Sequence, residues 1–157
     1  MPRTRRSAST TLHRLLLTSI PFATAILASC AAEDGPQDVT ITGVDYAFAA
    51  PADVLPGRSV VTLVNAGTVD HEMALARLKP GIGLADVTAA MDSHQDPSDL
   101  LEEEIGVLFA APGEASAGSL LVNLVSGATY VALCFLQDDP ESPPHSTLGM
   151  VTSFEVS

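Results

Sequence analysis

Four residues of this 157-residue chain have the types and the order to hold one metal ion: His71, Cys134, His145 and Met150, the last three within CFLQDDPESPPHSTLGM. Two imidazoles, one thiolate and a weak axial thioether are the donor set of a trigonal copper centre, whose chemistry is one-electron transfer. Each residue also has an ordinary reading. Buried cysteines usually act as small hydrophobes, lone histidines sit in loops and caps, and Met150 alternates with Thr152, Phe154 and Val156 as core residues do. The combination is what points to copper, one ion per domain.

The compartment strengthens that reading. Arg3, Arg5, Arg6 and Arg14 precede an apolar run over residues 15–28, the charged and hydrophobic parts of a secretory signal, too short for a membrane span. The run ends in Leu27-Ala28-Ser29-Cys30, which resembles the lipobox of bacterial lipoproteins. That resemblance implies cleavage before Cys30 and lipidation of its thiol, so that the protein is extracytoplasmic and tethered to a membrane without spanning it. Cys134 then has no internal disulfide partner, and an unprotected thiol in an oxidising compartment is liable to oxidation. The expected organisation is a lipoprotein signal over 1–29, a polar linker over 30–37 and one domain over 38–157.

Four of the seven basic residues leave with the signal, so Arg58, Arg77 and Lys79 stand alone against 19 acids, three minus nineteen or a formal charge of −16. Nucleic acid is excluded as a partner, because its phosphates would be repelled. A redox protein with a basic docking patch would be drawn in, at a rate that falls with salt. The domain is expected to act as a monomer.

The elements that must position the ligands read as strands. Residues 39–42 alternate, and Val44, Tyr46 and Phe48 resume the alternation out of phase after Gly43, the signature of a bulge. Residues 59–64, 72–78, 119–125, 128–135 and 150–156 follow as β-rich runs divided by Pro56-Gly57, Pro80-Gly81, Pro112-Gly113 and Ser126-Gly127. The fold class is therefore all-β, a Greek-key sandwich or barrel. One helical insertion, at about residues 82–106, interrupts it. Leu84, Val87 and Met91 recur at helical spacing, and Asp96-Pro97 caps a second short helix running to Gly106, with Glu102, Glu103 and Glu104 on its solvated face.

With these elements in view, the chain resembles the cupredoxins, the plastocyanin- and azurin-like copper proteins. Phe48, Pro51, Val54 and Gly57 form an F-x-x-P-x-x-V-x-x-G lead-in, followed by Asn65, Gly67 and His71; then come Gly127 and Tyr130, Cys134, Pro144-His145 and Gly149-Met150. The resemblance covers nearly all of the mature chain. It implies a type 1 (blue) copper site with His71, Cys134 and His145 as ligands and Met150 as the axial one, and electron exit at His145. It also implies a role in shuttling single electrons between extracytoplasmic redox partners. Asn65, at a strand end, is expected to tie one ligand loop to another. One departure stands out: ten residues separate Cys134 from His145, more than in small cupredoxins and closer to the type 1 site of copper nitrite reductases.

Other residues carry less. Met73 lies two positions after His71 on the same strand face and reads as core, with replacement of Met150 as its alternative role. His94 reads as exposed. Asp70-His71-Glu72 invites a hydrolase reading, but neither a G-x-S-x-G elbow nor an H-E-x-x-H helix accompanies it, so no enzyme activity is expected. Two rival readings remain: a copper storage or delivery lipoprotein, suggested by the long loop, and a metal-free cupredoxin-like interaction module.

Overall fold

A computed structural model describes residues 35–157; the expected signal, Cys30 and the start of the expected linker lie outside the described residues. Eight strands and one α-helix follow in order: β1 (Gln37–Val44), β2 (Ala47–Ala49), β3 (Gly57–Asn65), β4 (His71–Leu78), α1 (Leu84–Asp92), β5 (Leu101–Ala110), β6 (Leu120–Leu124), β7 (Thr129–Leu133) and β8 (Val151–Glu155). They form two four-stranded sheets, ordered β2-β1-β3-β6 and β5-β4-β7-β8. β1 and β3 run parallel and the other pairs are antiparallel.

Alternation along the strands builds the core. In β3, Ser59, Val61, Leu63 and Asn65 are buried while their neighbours are not, as a strand with one face on a core requires. Val39, Ile41, Met73, Leu75, Leu108, Val122, Leu124, Tyr130 and Phe154 complete the cluster between the sheets. Tyr130 stacks on Phe154 at 5.5 Å, and its hydroxyl accepts the Val125 N–H at 3.1 Å. A buried phenol thus packs its ring and satisfies its polar end at a turn. A second cluster lies on the outer face, where Val87 of α1 covers Ala76, Leu78, Val131 and Leu133. Among the described residues no helix is long and apolar enough to cross a membrane.

The all-β expectation with a helical insertion is met, and two local expectations are corrected. The insertion holds α1 and only a single 3₁₀ turn, Pro97–Leu100, capped by Asp96 accepting the Ser98 N–H at 2.9 Å. The residues expected to continue that helix instead form β5, which hydrogen-bonds along β4 and buries Leu108 and Ala110. Without β5, strand β4 would expose an unpaired edge. Glu102, Glu103 and Glu104 lie exposed on this new edge strand, where charge discourages pairing with a further chain. The phase change after Gly43 is likewise no bulge. The chain reverses at Asp45-Tyr46 and returns as β2, with Val44 opposite Ala47 and Tyr46 at φ 62°.

Candidate metal centre

Strand order delivers the ligands to one end of the sandwich. His71 is the first residue of β4 and points inward, while Cys134 follows directly on the neighbouring β7, so two adjacent strands supply one nitrogen and one sulfur. The remaining donors come from the connection between β7 and β8. Its ten-residue excursion closes on itself through backbone bonds from His145 N–H to Leu136 O (2.8 Å), Ser146 N–H to Cys134 O (2.7 Å), Met150 N–H to His145 O (2.9 Å) and Cys134 N–H to Met150 O (3.2 Å). The loop is long in sequence, yet its two ends are held like a tight turn.

His71, Cys134 and His145 each offer a ligand atom, and these atoms all lie within 4.8 Å of one another. Cys134 Sγ is 3.4 Å from His145 Nδ1, and the two imidazole centroids are 5.6 Å apart at 80°. A separation of 3.4 Å suits two atoms bound to one ion at the roughly 2.0–2.3 Å typical of nitrogen and thiolate ligands. His71, Cys134 and Met150 are 0% exposed and His145 1%. Neither ring nitrogen of His71 has a hydrogen-bond partner. A fully buried imidazole left unsatisfied demands an explanation, and a metal ion is the one its neighbours supply. Two nitrogens and a soft sulfur fit one copper.

Met150 is buried, and Gly43 lies against both it and His71. A Cβ built on Gly43 would lie 3.1 Å from the His71 ring carbon Cδ2 and 3.2 Å from the Met150 methyl, so both side chains rest against this bare stretch of β1. Met73 lies in the inter-sheet cluster. His94 is exposed in the turn after α1, at φ 56°.

Burial sets the protonation states. It pushes His71 below the ordinary 6.5, with the His145 ring acting in the same direction and Asp45 opposing; a neutral imidazole keeps a lone pair for a metal. Burial pushes the Cys134 thiol above 9.0, against backbone N–H groups of Glu72 and Leu136 that favour the thiolate. A metal would therefore bind by displacing the thiol proton.

Asn65 sits where a tie between loops was expected. Its Nδ2 donates to Val69 O at 2.8 Å and Ala110 O at 2.9 Å, while its Oδ1 accepts the Gly67 N–H at 2.8 Å. These bonds brace the segment leading into His71 against the end of β5. Sequence reasoning missed four other contributors. Glu72 accepts the Phe135 N–H at 2.7 Å, pinning the backbone just beyond Cys134. Asp45 takes the Thr68 N–H and hydroxyl, both at 2.6 Å, and lies 3.7 Å from His71 Nε2. Asp138 lies 3.1 Å from His145 Nε2 and accepts the Tyr46 hydroxyl at 2.6 Å. That phenol, ahead of the bond to His145, holds the Asp138 carboxyl below 3.8. Only Asp138 left a signal in the sequence, as an acid inside the ligand loop; Tyr46 is 92 residues away from it. His145, the expected electron exit, is 1% exposed, with Asp138 at its Nε2 and the Tyr46 ring edge-on to its own.

The chain thus forms an all-β, two-sheet sandwich with a buried group of two histidines and a cysteine at one end. No family model matches the chain and no curated protein matches it. Among solved structures it is similar to a dithionite-reduced auracyanin from the photosynthetic bacterium Roseiflexus castenholzii, with 20% identity over 78% of this chain and 99% of that chain at a TM-score of 0.49. It is also similar to auracyanin A, a "blue" copper protein from the green thermophilic photosynthetic bacterium Chloroflexus aurantiacus, with 18% identity, 78% and 100% coverage and a TM-score of 0.49. Reduced rusticyanin is similar at 16% identity, covering 76% of each chain, with a TM-score of 0.41.

Proposed function

We propose that this protein is a lipid-anchored, extracytoplasmic electron carrier holding one type 1 copper through His71, Cys134 and His145, with Met150 as the weak axial ligand. The observation that carries the reading is the unsatisfied, fully buried His71 imidazole within ligand reach of a buried thiol and a second buried imidazole. Bound copper would supply a one-electron couple. The sandwich holds the donors on strands and on a loop closed by backbone bonds, which limits ligand rearrangement between Cu(II) and Cu(I) and so favours fast transfer. Cys30 would tether the domain to the membrane, and the acidic surface would orient a basic redox partner.

Copper storage or delivery is the second reading, favoured by the ten residues between Cys134 and His145. Against it, that excursion is fastened: Asp139 accepts the Ser142 hydroxyl at 2.6 Å and the Glu141 N–H at 2.9 Å, and Gln137 bonds Ser142 O. A loop so braced suits a retained ion better than a transferred one. Titrating the metal-free protein with Cu(II) tests the proposal. One equivalent should produce intense visible thiolate-to-copper absorption that is absent in Cys134→Ala and that bleaches and recovers through repeated reduction and oxidation without metal loss. A wild-type protein that stays colourless and copper-free under conditions that exclude thiol oxidation would sink the electron-carrier reading, and loss of the ion on each reduction would favour delivery.

A further inference from the structure

His145 presents its two nitrogens to different partners. Nδ1 faces Cys134 Sγ at 3.4 Å, whereas Nε2 faces Asp138 Oδ1 at 3.1 Å. Asp138 is itself aimed: its other oxygen accepts the Tyr46 hydroxyl at 2.6 Å, and the Tyr46 ring stands edge-on to the His145 ring at 5.1 Å and 82°. The phenol reaches this position from the two-residue turn between β1 and β2, where Tyr46 holds φ 62°, a backbone conformation uncommon for a bulky side chain. Phenol, carboxylate and imidazole therefore form a chain running from the β1–β2 turn, through the long loop, to the ligand nitrogen. His71 is treated differently. Its outer nitrogen lies 3.7 Å from Asp45, beyond hydrogen-bond distance, and Asp45 spends its oxygens on Thr68.

A carboxylate on the far nitrogen of an imidazole does two things. It takes the one N–H of the neutral ring, which fixes the tautomer and leaves the lone pair on the nitrogen facing the metal. It also places a negative charge one ring away from the ion, in a site where burial strengthens electrostatics, and such a charge stabilises Cu(II) more than Cu(I).

We propose that Asp138, aimed by Tyr46, is a positioning residue of the copper centre: it locks His145 with Nδ1 toward the ion and biases the site toward Cu(II). This gives the long, acidic loop between Cys134 and His145 a purpose, because it brings a carboxylate to a ligand edge that would otherwise face solvent. The proposal rests on the copper reading above.

Asp138→Asn keeps the shape and an acceptor oxygen but removes the charge, Asp138→Ala removes both, and Tyr46→Phe keeps the charge but frees the carboxylate to swing. Nitrogen NMR of the metal-free full chain reads the His145 tautomer without copper: the wild type should be Nε2–H, and Asp138→Ala a mixture. In the copper-loaded protein the reduction potential should rise in both Asp138 variants. Cu(II) affinity should fall about 10–100-fold in Asp138→Ala, with Tyr46→Phe between it and the wild type. Wild-type potential and affinity in both Asp138 variants, or an Nδ1–H tautomer in the metal-free wild type, would overturn the proposal while leaving copper binding intact. A wild type that takes up no copper overturns the copper reading itself, and the role given to Asp138 falls with it.

Discussion

Asn65→Ala should loosen the metal centre without touching a ligand. The side chain is 1% exposed and makes three hydrogen bonds, two donated to Val69 O and Ala110 O and one accepted from Gly67 N–H. Truncation leaves all three backbone groups without their partner. Ala110 is buried, so its carbonyl bears most of the desolvation cost, about 1–3 kcal/mol. Val69 and Gly67 are half-buried, and water can reach them; each should cost nearer 0.5–1 kcal/mol, the lower part of the range for a lost bond. The sum is about 3 kcal/mol, which for a domain of this size lowers the melting temperature by roughly 10 °C. The assay is thermal unfolding of the metal-free domain from residue 34 onward, which contains both hydrophobic clusters. Copper affinity, measured beside it, should fall as well, because the braced segment leads directly into His71. An Asn65→Ala protein that melts within about 2 °C of wild type and binds copper equally well would refute the idea that this amide holds the loops in register.

Three further outcomes follow from the same geometry. Gly43→Ala places a methyl 3.1 Å from the His71 ring and 3.2 Å from the Met150 methyl; it should cost about 1–3 kcal/mol as overpacking does and shift the visible spectrum of the copper form, so an unchanged spectrum and melting temperature count against Met150 lying against Gly43. Asp139 is held below 3.8 first by the Ser142 hydroxyl and then by the Glu141 N–H. Its contribution to loop order is therefore present above pH about 4 and lost as the pH falls through the lowered folded value. Acid-dependent exchange of the Glu141 and Ser142 amides, abolished in Asp139→Asn, checks this. Electron exchange with a basic redox protein should slow as ionic strength rises, given 19 acids against three bases from Cys30 onward; stopped-flow rates independent of salt would exclude electrostatic docking.

The candidate ligands could be read from the chain because their order, a histidine after N-x-G and then cysteine, histidine and methionine near the C-terminus, is local information about residue type and spacing. Most strands were legible for a similar reason: a sheet with one buried face imposes a two-residue period that survives in β1 and β3. β5 escaped because its first half is acidic and mostly exposed, as an edge strand's can be, and because Asp96-Pro97 announces a helix that ends after one turn. Local propensity described the start of that segment, and pairing with β4 decided the rest.

By itself, the sequence determined the candidate donors, the all-β class and the surplus of acid, since each depends only on which residues are present and how they alternate. The tertiary structure alone decided what surrounds the donors. Tyr46 meets Asp138 across 92 residues, Glu72 pins Phe135 across 63, and Asn65 reaches Ala110 across 45. Hydrogen bonds of that range form only after distant strands have paired, the two sheets have packed and their turns have met at one end of the sandwich, so no periodicity or motif along the chain encodes them.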